Sequence, residues 1–227
     1  MKNNIKLPPS LRTLLAAVST CLLLASPAQA SLLGRNITGQ AVAGSDASAV
    51  FLYDTHLNIT WLRDANMNGR MNWGSAVNWA NTLTVGTFGG WRLPSTLQPD
   101  TSCSNAFVAP EPNGNQYYGA GCTGSEWGEL WHTQLGNAAD TLMSNSGDFL
   151  NLQFGLYWSG TEVAPEPVYA WSFYTTTGLQ TGAWEKTYDL FALAVRSGDV
   201  LAGGDNTVPE PPSLLLLLLA LAGLGGL

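Results

Sequence analysis

At 227 residues the chain fits one domain flanked by sorting signals, and only 11% of its residues are charged. Sixteen acidic residues stand against nine basic ones, and three of the basic ones (Lys2, Lys6, Arg12) fall in the first thirty residues, which hold no acid. Without those thirty the count is six against sixteen, a formal charge of −10 that repels phosphate backbones and argues against nucleic acid as a partner.

Residues 1–30 read as a secretory signal peptide: the three cations, an apolar run from Leu14 to Leu24, then Ala28-Gln29-Ala30 as a small-residue cleavage site before Ser31. The apolar run is too short for an anchor, since spanning takes about 20 residues. Cys21 leaves with this segment; Thr20 before it and the apolar run after it do not suit a lipidated cysteine. Cys103 and Cys122 remain, an even pair in an oxidising compartment, and one disulfide is the simplest expectation.

Ser31 to Ala49 is rich in Gly, Ala and Ser and is predicted to be irregular. Val50 to Tyr53 and Asn58 to Leu62, separated by Asp54-Thr55-His56, predict a hairpin. Asp64, Asn66 and Asn68 then alternate ahead of Gly69, matching the first half of a calcium loop. Ser75 stands where such a loop places its bidentate acid, and the alternative is an Asx turn leading into a helix. That helix is predicted over Trp73 to Leu83, with Trp73, Ala76, Val77, Ala80 and Leu83 on one face. Trp91 to Ser95 returns as an extended segment ended by Pro94.

Pro99 to Gly124 is a polar, Pro/Gly/Asn-rich insertion bracketed by the two cysteines. Gln98-Pro99-Asp100 and Glu111-Pro112-Asn113 equal the sugar- and calcium-coordinating tripeptides of animal C-type lectins, but without the Trp-Asn-Asp partner they are read as a proline-rich surface loop. Thr123 to Glu126 forms a capping box for a second helix, Ser125 to Leu135, stopped by Gly136. His56 and His132 are the only histidines, so neither a zinc site nor a histidine–cysteine catalytic set assembles, and the chain reads as no enzyme. Strands are predicted at Tyr157 to Glu162, Tyr169 to Thr175 and Leu190 to Arg196. Nine tryptophans suggest a core of aromatic anchors, with an aromatic platform for sugar as the alternative.

Residues 201–207 read as a linker, followed by Val208-Pro209-Glu210-Pro211 and an uncharged run from Leu214 to Leu227. As a helix that run reaches roughly 21 Å, short of the ~30 Å hydrocarbon core, which suits transient rather than permanent membrane contact. The pairing of proline motif and leucine-rich tail resembles the PEP-CTERM sorting signal of Gram-negative bacteria, which implies an exosortase as a partner in transit after signal peptidase. Such tails usually close on an arginine cluster, and this one reads Gly226-Leu227 there.

Residues 50–200 resemble the Lcl C-terminal domain family. The resemblance is carried by Tyr53-Asp54 with Leu57 to Asp64, Trp73 to Ala80, Gly90 to Pro94, Cys122 to Leu130, Tyr157-Trp158-Ser159, Ala170-Trp171 with Phe173, and Ala194 to Asp199. It implies an α+β, C-type-lectin-like domain, two helices packed on a small twisted antiparallel sheet. The family assigns no catalytic residues. Its adhesin member is associated with sulfated polysaccharide, a ligand that a charge of −10 disfavours.

Together these features point to an exported, non-catalytic module at the cell surface, in extracellular matrix or at the membrane of a Gram-negative bacterium. Polysaccharide is its candidate ligand, calcium at Asp64, Asn66 and Asn68 its one candidate ion, and no other cofactor is called for. The alternatives are an oxidoreductase like the formylglycine-generating enzymes of the related fold, which would need Cys103 and Cys122 reducible beside a cleft, and a simple membrane-anchored protein.

Overall fold

The computed structural model describes residues 32–108, 115–164 and 166–201. Two sheets carry the fold. The first is antiparallel throughout, in the order β2 (Ala41–Val42), β1 (Leu32–Asn36), β3 (Ala49–Asp54), β4 (Ile59–Leu62), β13 (Val195–Ser197), β6 (Trp91–Arg92). The second runs β5 (Arg70–Met71), β12 (Leu190–Phe191), β9 (Leu156–Glu162), β10 (Tyr169–Tyr174), β11 (Leu179–Glu185), β8 (Asn115–Ala120), β7 (Asn105–Val108). Its one parallel contact pairs Phe191 with Tyr157. Helices α1 (Trp73–Thr82) and α2 (Glu126–Gly128, continuing as a π-helical segment over Glu129–Gln134) complete it.

The α+β expectation holds at this level: mostly sheet, with two short helices. A single small sheet does not describe it, because two form. Leu190 to Arg196, predicted as one strand, is divided between them. Leu190–Phe191 belongs to the second sheet and Val195–Ser197 to the first. The residues that cross over, Ala192, Leu193 and Ala194, are at most 2% exposed. Alternation of apolar side chains there reports burial on both sides rather than one continuous strand.

The stretch predicted to be irregular, Ser31 to Ala49, instead supplies β1 and β2. β1 pairs with β3 from Leu32↔Asp54 to Asn36↔Ala49, with a register shift after Arg35. Its small residues are needed there: a Cβ at Gly34 would lie 2.6 Å from the Ala43 carbonyl oxygen. Arg35 is held at the edge of the core by Asp199, Nε to Oδ1 at 3.0 Å and Nη2 to Oδ2 at 2.7 Å, which joins the first strand to the end of the fold.

Local signals account for the parts read correctly. β3 and β4 form the predicted hairpin, pairing Phe51↔Leu62 through Asp54↔Ile59. Asp54 Oδ1 accepts from the amides of His56 and Leu57 and so shapes the turn. In α1 the Asn72 side chain accepts from Ser75 N at 2.9 Å, an N-cap, and Ala76 and Ala80 face the core. Gly128 lets α2 approach the loop before it, since a Cβ there would stand 1.8 Å from the Cys122 carbonyl oxygen.

Aromatic rings join the layers. Six of the nine tryptophans are buried, and Trp127 of α2 sits at their junction. Its ring lies 5.6 Å from Trp61 of the first sheet and 5.0 and 5.7 Å from Tyr157 and Phe173 of the second, parallel to Phe173 within 4°. Arg63 lies buried as well, its guanidinium donating to the carbonyls of Asp46, Ala49 and Asp148. Arg92 pairs with Glu126 at 2.6 and 2.7 Å, whereas Arg196 stacks over Phe88. No helix among the described residues is long and apolar enough to cross a membrane.

Candidate functional site

The insertion predicted to be a loop folds as a hairpin, β7 against β8, that extends the second sheet. Its base is closed by the Cys103–Cys122 disulfide, as the cysteine count implied. Asp100 stands beside it, the three ligand-type atoms lying within 4.8 Å of one another, but the sulfurs are bonded to each other and Asp100 is occupied by internal hydrogen bonds. Asp100 Oδ1 accepts from Ser102 N and Oγ, and Oδ2 from Gly124 N. Gln98 pairs with the backbone of Tyr117 through both ends of its amide, at 2.7 Å each. The Gln98-Pro99-Asp100 tripeptide therefore spends its oxygens on anchoring the hairpin; Glu111-Pro112-Asn113 lies outside the described residues.

Reducing the disulfide releases a loop of 19 residues' separation. In the loop-entropy view that costs about 3 kcal/mol. Chemical denaturation with and without reductant should show that loss, and an unchanged midpoint would mean the hairpin is held by its strand pairing alone.

Between this hairpin and the rest of the second sheet opens a cleft of about 630 Å³. Tyr118 of β8, Tyr174 of β10 and Trp184 of β11 supply aromatic surface, with Asn105, Asp140 and Thr181 among the polar groups around it. Tyr118 is exposed, Tyr174 and Trp184 half-buried, and Trp184 meets Tyr188 edge-on at 5.3 Å. Gln180 lies behind the floor, donating to Tyr117 O at 3.2 Å and touching Cys103 Sγ at 3.7 Å. The disulfide thus braces the wall of the cleft. A second hollow of about 450 Å³, by Val77, Arg92 and Thr161, offers no aromatic ring, and its arginine is committed to Glu126.

These aromatic residues were absent from the predicted site. The run Tyr117-Tyr118 before Gly119, and Leu179 to Trp184 after Gly178, carried a strand signal that the Pro/Gly/Asn-rich surroundings masked. Gly178 turns β10 into β11 at φ 75°, and its hydrogen faces the Trp131 indole, where a Cβ would lie 2.2 Å from Nε1.

The predicted calcium residues lie elsewhere. Asp64 Oδ1 accepts from Asn66 N and from Asn151 Nδ2, both at 3.0 Å, an Asx turn reinforced from across the fold. Asn66 Oδ1 is buried without a partner among the described residues, while Asn68 is exposed and reaches only Met71 sulfur. His132 packs its ring 6.4 Å from Phe173, its nitrogens on the carbonyls of Asn137 and Gly178. Burial holds its pKa below the ordinary value, against the pull of those carbonyls and Asp140. The predicted signal peptide, residues 202–207 of the predicted linker and the motif Val208, Pro209, Glu210, Pro211 fall outside the described residues.

Compared with known families, curated proteins and solved structures, the chain finds no match: no family profile, no curated relative and no structure.

Proposed function

We propose that this chain is an exported, non-catalytic, C-type-lectin-like module that binds carbohydrate in the cleft beside the β7–β8 hairpin. The observation that carries the reading is the cleft's lining: Tyr118, Tyr174 and Trp184 beside amide, carboxylate and hydroxyl groups. A sugar presents apolar C–H faces and a rim of hydroxyls. Aromatic rings match the first, and groups such as Asn105, Asp140 and Thr181 the second. Asp140 is the acidic group on the cleft's lining, and among the described residues no lysine or arginine lines it, which favours neutral over sulfated polysaccharide. The first and last parts of the fold meeting through Arg35 and Asp199, and two helices seated on antiparallel sheet, support the lectin-like comparison.

In this reading signal peptidase removes residues 1–30 and an exosortase reads Val208-Pro209-Glu210-Pro211, leaving the domain at the cell surface or in matrix, with transient membrane contact through the tail. Glycan-array binding of the purified protein tests the function. Trp184→Ala should weaken binding about tenfold or more, the loss typical of a central aromatic anchor. Binding untouched by Trp184→Ala would place the ligand elsewhere. Mass spectrometry of the native C-terminus tests the sorting: an intact Leu227 favours simple anchoring. Thiol titration tests the oxidoreductase alternative, which requires Cys103 and Cys122 to be accessible and reducible in the folded protein.

A further inference from the structure

Away from the cleft, three oxygen atoms without partners belong to side chains already touching one another. Asp54 ends β3 and is fully buried; its Oδ2 has no hydrogen-bond partner among the described residues. Glu129 opens the π-helical segment at 2% exposure, and its Oε2 is likewise orphaned. Gln134 ties the two together: its Nε2 donates to Glu129 Oε1 at 2.9 Å and reaches Asp54 Oδ1 at 3.5 Å. The other end of that amide, Oε1, is buried and unpartnered too.

The π register is what makes the cluster. Leu135 N bonds Leu130 O at 2.9 Å, and the same five-residue spacing sets Gln134 over Glu129. An α-helical turn would rotate them apart, and such one-turn π segments recur at functional sites. Two carboxylates are buried here. Among the described residues the one basic side chain in contact is His56, whose Nδ1 lies 2.9 Å from Glu129 Oε1 and whose side chain is 59% exposed. One water-exposed imidazole does not neutralise two buried charges, and uncompensated carboxylates in an apolar setting are costly.

We propose that Asp54, Glu129 and Gln134 form a buried site for a hard divalent cation, calcium or magnesium. All three free atoms are oxygens, the donor type these ions select, and two formal negative charges match the ion's charge. The site differs from the Asp64 loop in every ligand and owes nothing to the carbohydrate reading, so the two stand or fall separately. Bound metal would clamp the β3–β4 turn to α2 and fix Trp127 and Trp131, which flank Glu129 in sequence.

The test is calorimetric titration of the chelator-stripped full chain with CaCl2 and with MgCl2, alongside thermal melting with and without each ion. The expected result is saturable uptake of at least one ion with a raised melting temperature. That uptake should be lost in Glu129→Gln and retained in Asp64→Asn. Gln134 is half-exposed, so Gln134→Met provides a variant that keeps the carboxylates and the fold. It should weaken uptake by about tenfold or more, at least the loss seen on removing an outer-shell partner. Absence of uptake of both ions overturns the proposal. So does uptake that Asp64→Asn abolishes, or that Gln134→Met leaves unchanged.

Discussion

Trp127→Ala is expected to be the most damaging single truncation in the domain. The indole is 2% exposed and touches rings from both sheets, Trp61, Tyr157 and Phe173. Emptying a buried aromatic position costs about 3–5 kcal/mol, because the lost transfer free energy adds to that of the cavity left behind. Each aromatic pair removed contributes about 0.5–1.5 kcal/mol more. Domains of this size are stable by only about 5–15 kcal/mol, so the variant should be close to unfolding at room temperature. Trp127→Phe keeps a ring in the same place and should lose a fraction of that. Urea unfolding followed by circular dichroism measures both. A cost below about 1.5 kcal/mol for the alanine variant would show that the two sheets close on each other without this ring, against the magnitude expected for a filled core position.

Asp199→Ala is expected to come second. Its carboxylate grips Arg35 with two parallel bonds, and the two side chains are 16% and 7% exposed. Fork-to-fork pairs of this kind are the strong ones, and removing one partner leaves the other charge buried and unmatched. A loss of about 3–5 kcal/mol is expected, most of it from stranding Arg35 rather than from the worth of the bond itself. The double variant Arg35→Leu/Asp199→Leu separates those terms, because taking out both charges should recover much of the stability. Hydrogen exchange should show where the damage falls: β1 loosens first, since Arg35 is its tie to the end of the fold. If the single and double variants are equally unstable, the apolar packing of β1 matters and the ion pair does not.

The features legible in the chain share one property, that their physical cause lies within a few residues. Asn72 caps α1 three residues from its partner Ser75, Asp54 folds its own turn, and Ala76 and Ala80 mark a buried face by spacing alone. Cys103 and Cys122 were legible as a pair because they are the two cysteines that remain once Cys21 is assigned to the predicted signal peptide. The calcium pattern at Asp64 was legible as a motif, and its geometry is that of an Asx turn, since the same alternation of short polar side chains serves both ends.

What the linear order could not carry is everything set by partners far away. Ser31 to Ala49 holds β1 and β2 because β3 offers an edge to pair with, a contact that overrides the weak strand preference of Gly, Ala and Ser. The cleft needs Tyr118, Tyr174 and Trp184 from three strands, brought onto one surface by sheet order alone. Asp54 and Glu129 are linked across 75 positions through Gln134 on a π turn that no short-range spacing rule anticipates. The start of α1, the turn at Asp54 and the disulfide were thus decided by the order of residues. The division into two sheets, the aromatic cleft and the buried carboxylates were decided by tertiary packing, since hydrogen bonds between distant strands and burial of distant rings have no signature in any short window of sequence.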